Sequence, residues 1–118
     1  MTKQLLLASL LLAACSKHQA APACPSNYGK VDGNLTCTCP ASPSGTVWGS
    51  KIYTTDSNIC EAAVHAGAIT NAGGEVSFIA APGCNSYKGD SANGVTTQGW
   101  GAFEKSFYVS GKGDGKCP

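Results

Sequence analysis

Seven cysteines in 118 residues constrain this chain more than any other feature. Six of them, Cys24, Cys37, Cys39, Cys60, Cys84 and Cys117, follow a stretch with the pattern of an export leader. An even set in a short exported chain reads as a disulfide framework. Six cysteines admit many pairings, and spacing alone does not choose among them. Cys37 and Cys39 do not suit each other, because a one-residue loop strains the bridge. The framework matters because the core is small. A chain of about 95 residues buries only a little over roughly 60% of its unfolded surface, and each bridge adds roughly 3–4 kcal/mol by restricting the unfolded state. A metal site built from Cys37-Thr38-Cys39 and His65 lacks the paired CxxC or HxxxH spacing that zinc favours. Neither a metal nor a cofactor is expected.

The leader begins with Lys3 and continues as an almost wholly apolar run from Leu5 to Ala14, broken only by Ser9. As a helix it would span about 15 Å, half of a bilayer's hydrocarbon core, so its length is that of a signal-peptide core and not of a membrane span. It ends Leu12-Ala13-Ala14-Cys15, which resembles the bacterial lipobox. That resemblance implies a lipoprotein signal peptide over residues 1–14, lipid attachment at Cys15, and a tether over residues 15–23. The competing reading is an ordinary secretory signal with Cys15 incidental. The lipobox implies a protein held by its N-terminal lipid at a bacterial cell envelope. Ser16, where an aspartate would retain it at the inner membrane, implies the outer membrane of a Gram-negative cell.

The chain carries eight lysines, no arginine and seven acids, for a net charge of +1. Removing Lys3 with the leader leaves the remainder formally neutral. That excludes a surface tracking nucleic acid and argues against any charge-driven partner. Hydrophobic residues at 42% exclude a disordered chain. The length allows one small domain, expected over residues 24–110, with a Gly-rich tail over 111–118 that is flexible unless Cys117 ties it down.

Periodicity predicts one helix, Asp56 to Ile69, with Asn58 and Glu61 spaced as a capping box and Asp56 or Ser57 as rival caps. The run is apolar nearly all round, so the helix belongs inside the protein. Only Glu61 and His65 interrupt it, at i and i+4 on one stripe. Strands are expected at Thr46–Trp48, Ile52–Thr54, Glu75–Ala80, Val95–Thr97 and Phe103–Val109. Turns are expected at Asp32-Gly33-Asn34, residues 71–74, Pro82-Gly83 and the hairpin dipeptide Asn93-Gly94. One buried helix among short strands predicts an α+β domain.

From Val47 to Phe107 the sequence strongly resembles the LCCL domain. The matching pieces are VWGSKIYTTDSNICEAAVHAGAI, Gly73-Gly74 with EVSFI, Pro82-Gly83 with Tyr87, Asn93-Gly94-Val95, Trp100-Gly101 and Ser106-Phe107. The resemblance implies a central helix wrapped by two irregular β-sheets. It also implies bridges Cys24–Cys37 and Cys39–Cys60, although the single residue between Cys37 and Cys39 departs from the family's wider spacing and leaves the two exchangeable. Cys84 and Cys117 have no counterpart in the family pattern and remain as the third pair, anchoring the tail.

Candidate chemistry is sparse. His65 oriented by Glu61 would be a general base, or a helical histidine satisfied by that carboxylate. Gly89-Asp90-Ser91 has the look of a serine-nucleophile stretch, but no strand–elbow–helix context surrounds Ser91. Asp90 and Ser91 read as loop residues bonding local backbone. Asn34-Leu35-Thr36 matches a glycosylation sequon that a bacterial lipoprotein would not use. Most aromatics, Trp48 and Trp100 included, are expected in the core, with Tyr28 and Tyr108 as surface rings able to stack on a ligand. The residues therefore point to a non-enzymatic binding module for a glycan, a lipopolysaccharide-like amphiphile or an envelope protein. The rivals are a structural spacer without a specific ligand and a small hydrolase using His65.

Overall fold

The computed structural model describes residues 20–118. The leader over 1–14, Cys15, Ser16 and most of the tether lie outside the described residues. Helix α1 (Ile59–His65) is shorter than periodicity suggests, and local chemistry sets both its ends. Asn58 is the N-cap, its Oδ1 accepting the Glu61 N–H at 2.9 Å. The C-terminus is closed by Gly67 at φ 81°, where the Ala68 N–H donates to Ala63 O and the Gly67 N–H to Val64 O. Ala66, Ala68 and Ile69 leave the helix but stay packed on the core. Six of its seven residues are buried, all except Glu61. Asn58→Ala should cost about 1 kcal/mol, a melting shift of roughly 4–8 °C for a domain of this size, readable by thermal unfolding followed by circular dichroism.

Around the helix run β1 (Leu35–Cys39), β2 (Gly49–Ser50), β3 (Ile52–Thr54), β4 (Gly74–Cys84), β5 (Ser91–Ala92), β6 (Val95–Thr96) and β7 (Phe103–Val109). Five of them form one antiparallel sheet in the order β1-β4-β7-β3-β2, and β5 pairs with β6. The result is a small α+β domain with one helix and two sheets among the described residues, consistent with the LCCL fold. The β5–β6 hairpin turns at Asn93 and Gly94, both at positive φ (53° and 79°), as a type I′ turn requires.

Two local expectations give way to tertiary structure, and one strand arises that no local pattern announced. Pro82-Gly83 is not a turn: β4 runs through it, with Pro82 opposite Lys105 and Cys84 opposite Phe103. β1 pairs with β4 only as far as Phe78, so the far half of β4 has an open outer edge, where proline is tolerated. Gly83 lies so close to β7 that a Cβ there would sit 2.0 Å from Phe103 O. β1 itself was not expected; its inward residues are Cys37 and Cys39, which carry no strand signature. Thr46–Trp48 contributes only a single bridge, Trp48 to Gln98.

The main core gathers Tyr28, Val47, Tyr53, Ile59, Ala62, Ala63, Val76, Phe78, Phe107 and Val109 between helix and sheet. A smaller cluster of Ile52, Cys84 and Tyr87, with Ala81 and Phe103 against it, lies apart. The structure joins Cys24 to Cys37, Cys39 to Cys60 and Cys84 to Cys117. The first ties the N-terminal segment to β1, the second ties β1 to the helix, and the third returns the tail to the end of β4.

Candidate functional site

His65 ends the helix with its side chain buried. Its Nδ1 lies 2.9 Å from the Tyr53 hydroxyl on β3, and its Nε2 lies 2.6 Å from Asp90 Oδ1 on the loop before β5. A carboxylate only accepts, so Nε2 carries a proton, and in the neutral ring Nδ1 accepts the Tyr53 O–H. Burial pushes the Tyr53 pKa up to about 12, which keeps that hydroxyl protonated. Ser50 Oγ on β2 donates to Asp90 Oδ2 at 2.8 Å, and Asn93 Nδ2 donates to His65 O at 2.8 Å. The chain Tyr53–His65–Asp90–Ser50 thus pins the helix end, the β2–β3 hairpin and the β5–β6 hairpin together.

The expected Glu61–His65 pair does not form, because the ring turns inward to partners from other elements. Glu61 Oε2 is instead enclosed without a hydrogen-bond partner among the described residues, and burial raises the Glu61 pKa. Asp90 does not bond only its own loop: its carboxylate spans to His65 and Ser50. Ser91 Oγ pairs with Thr96 Oγ1 at 2.8 Å across the hairpin, away from the histidine. The one hydroxyl that His65 reaches is the buried phenol of Tyr53, Ser50 spends its proton on Asp90, and no serine, threonine or cysteine side chain meets either ring nitrogen among the described residues. The Sγ atoms of Cys24, Cys39 and Cys60 lie within 4.8 Å of one another, but all three belong to bridges.

The Ser50 hydrogen bond first, with His65 and Lys51 adding to it, holds the Asp90 carboxyl below its ordinary value. A carboxylate depressed in the folded state stabilises above its unfolded pKa, about 3.9. That contribution is lost as pH falls through the lower folded value. Asp90→Asn should therefore lower the melting temperature at pH 7 and leave a smaller drop between pH 7 and acid than the parent shows. His65→Ala leaves the buried Tyr53 hydroxyl without its partner and should cost about 1–3 kcal/mol, read in the same melts. Glu61→Gln works in the opposite sense. Burial disfavours the charged Glu61, so the neutral amide should raise stability at neutral pH, and the gain should vanish as pH falls into the carboxylate range.

The aromatic expectations are reversed at Tyr28 and Trp100 and met only in part at Tyr108. Tyr28 is not a surface ring: it is 3% exposed, stacked on Phe107 at 5.1 Å, with its hydroxyl donating to Gly33 O. Tyr108 is half-buried, because the bridged tail lays Gly113 and Gly115 against it. Trp100, expected in the core, is 53% exposed, the one large apolar side chain left so among the described residues. Half-buried Trp48 meets it edge-to-face at 6.2 Å. Sequence reasoning missed this pair; the glycines flanking both rings, Gly49, Gly99 and Gly101, were the available signal.

Among known proteins, the family model described as "LCCL domain" matches residues 13–107. Vitrin of Homo sapiens is 34% identical over 90 residues, 73% of this chain and 13% of vitrin. Clotting factor C of Tachypleus tridentatus is 38% identical over 88 residues, 68% of this chain and 9% of that protein. Cochlin of Homo sapiens is 40% identical over 65 residues, 55% of this chain and 12% of cochlin. The matched region is thus about a tenth of the length of these larger relatives. With most of its length matched by the family model and by relatives more than a third identical, the chain belongs to the LCCL domain family.

Proposed function

We propose that this LCCL domain is a non-catalytic recognition module, held by a lipid on Cys15 at a bacterial cell envelope, that binds a glycan or a glycan-bearing amphiphile there. The observation that carries the reading is the exposed Trp100 with Trp48 beside it, on a domain whose histidine is closed off by Tyr53 and Asp90. A buried, doubly bonded histidine serves the fold; an exposed indole is available to a ligand. The lipobox at Leu12–Cys15 supports the anchor. Recognition by rings and neutral hydrogen-bonding groups should depend little on salt, and binding should persist at about 0.5 M, where screening removes most surface attraction.

Two measurements test the reading. Cys15→Ser should release the protein from the membrane fraction or block its processing, and identical fractionation of mutant and parent would sink the anchor. The full chain should be retained on immobilised envelope glycolipid while turning over none of a panel of ester, peptide, glycoside and amide substrates. Turnover abolished by His65→Ala would replace the recognition reading with a hydrolase, and retention on nothing would favour the spacer.

A further inference from the structure

We propose that Trp48 and Trp100 form a platform for the apolar C–H face of a neutral pyranose ring, making this pair the carbohydrate-contacting site of the domain. The inference rests on the recognition reading above and names its surface and ligand class. Both rings stand on fixed backbone. Trp100 exchanges N–H···O bonds of 2.8 and 3.1 Å with Tyr87, whose buried hydroxyl is held by Ser106 Oγ and by the Cys84 N–H. The Trp48 N–H donates to Ser57 Oγ at 2.9 Å, and its carbonyl accepts the Thr54 N–H at 3.1 Å. The Gln98 N–H donates to Val47 O and the Gly49 N–H to Gln98 O, which locks the two segments side by side. The main chain under each ring is thus already ordered when a ligand lands, so none of the contact is spent on ordering backbone.

What surrounds the rings selects the occupant. Gly49, Gly99 and Gly101 add no side chain, and a Cβ at Gly101 would find nothing within 4 Å. An edge-to-face pair covers one ring face only in part, so indole surface stays open to solvent. Residues 46–50 and 95–103 contain no charged side chain, and exposed Gln98 supplies a neutral donor and acceptor beside Trp48. The charges nearest to them lie on neighbouring segments, at Lys51, at exposed Lys88 and at Asp90, which is bonded to Ser50 and His65, and none stands within the two stretches that carry the rings. Size argues against a protein partner, because a stable interface needs roughly 800 Å² per side, whereas one aromatic side chain buries only about 150–250 Å². A ligand with one flat apolar face the size of an indole and hydroxyls around its rim fits both limits, and a pyranose has that shape.

The chain contains two tryptophans, and both are in the pair. Fluorescence excited beyond the tyrosine absorption band and the two indole N–H resonances therefore report on this surface alone. The full chain would be titrated with a β-1,4-linked N-acetylglucosamine tetramer and with a glucose tetramer. The expected result is saturable displacement of both indole signals by at least one of them. Trp100→Ala should then bind about tenfold more weakly, equivalent to about 1.4 kcal/mol, with Trp100→Phe close to the parent. The indole shifts in the parent decide the matter even if Trp100→Ala folds poorly, which its melting curve would reveal. Two results overturn the platform. One is no indole displacement by either tetramer at about 10 mM, a concentration that would load even a site with millimolar affinity. The other is a folded Trp100→Ala that binds them like the parent. The second leaves the recognition reading standing and moves the sugar to another surface, such as the cleft of about 320 Å³ lined by Val31, Asp32, Pro82 and Lys105. Retention on envelope glycolipid that survives Trp100→Ala has the same meaning, whereas loss of all retention in the parent defeats the reading itself.

Discussion

Phe107→Ala is expected to remove about 3–5 kcal/mol of stability, a large part of the roughly 5–15 kcal/mol that holds a domain of this size. Phe107 is fully buried on β7, the middle strand of the five-stranded sheet. Its ring is the meeting point of the aromatic core: Tyr28 stacks on it at 5.1 Å, Tyr53 lies at 5.6 Å and Phe78 at 5.8 Å. Truncation leaves a ring-sized void walled by side chains from three other segments. Two of the three are held elsewhere, Tyr28 by Gly33 O and Tyr53 by His65, so the walls collapse into it only in part. At roughly 4–8 °C per kcal/mol the melting midpoint should fall by more than about 12 °C. Phe107→Leu, which keeps most of the volume, should lose less than half as much. A midpoint within a few degrees of the parent would show that this core is not organised around Phe107.

Loss of the Cys39–Cys60 bridge should be of similar size. Its two ends are 21 residues apart, and closing a loop of that length restricts the unfolded chain by about 3–4 kcal/mol. The bridge also fastens the central helix to β1, a strand that otherwise pairs with β4 on one edge and meets only the short Ala23–Thr38 bridge on the other. Cys39 and Cys60 are both buried, so Cys39→Ala with Cys60→Ala is the cleaner pair, avoiding two unpaired hydroxyls in the core. The double variant should melt more than about 12 °C lower and unfold at lower urea. Cys84→Ala with Cys117→Ala opens a longer loop of 33 residues, yet should behave more gently, because the freed tail gains freedom in the folded protein too and so offsets part of what the unfolded chain gains. Equal losses from the two pairs would contradict this division of labour.

The features legible before the fold was known are those decided within a few residues. Asn58 spaced three residues before Glu61 caps the helix because the cap closes on its own first turn. Asn93-Gly94 turns a hairpin because both residues tolerate positive φ. The alternation of Phe103 to Val109 makes a strand, and the all-round apolar helix is buried, because period and polarity are local properties. Each failure has a non-local cause. Pro82-Gly83 looks like a turn until β7 pairs across it. β1 hides because cysteines stand where branched residues would signal a strand. The i, i+4 spacing pointed His65 at Glu61, yet its partners stand 12 and 25 residues away.

The sequence by itself determined the fold class, the single buried helix, the need for a disulfide framework and the family, since all follow from composition, period and a specific run of residues. The resemblance implied two of the bridges and left Cys84 and Cys117 as the third, and tertiary structure decided only between Cys37 and Cys39, which share one inward face of β1 with the Cys24 and Cys39 sulfurs 3.6 Å apart. It also decided which rings face water. An aromatic side chain is buried by whatever packs over it: Tyr28 is covered by the helix and sheet, Tyr108 by a tail that returns through Cys117, and Trp100 by little more than the edge of Trp48. No local pattern encodes that cover, because it is supplied by segments distant in the chain.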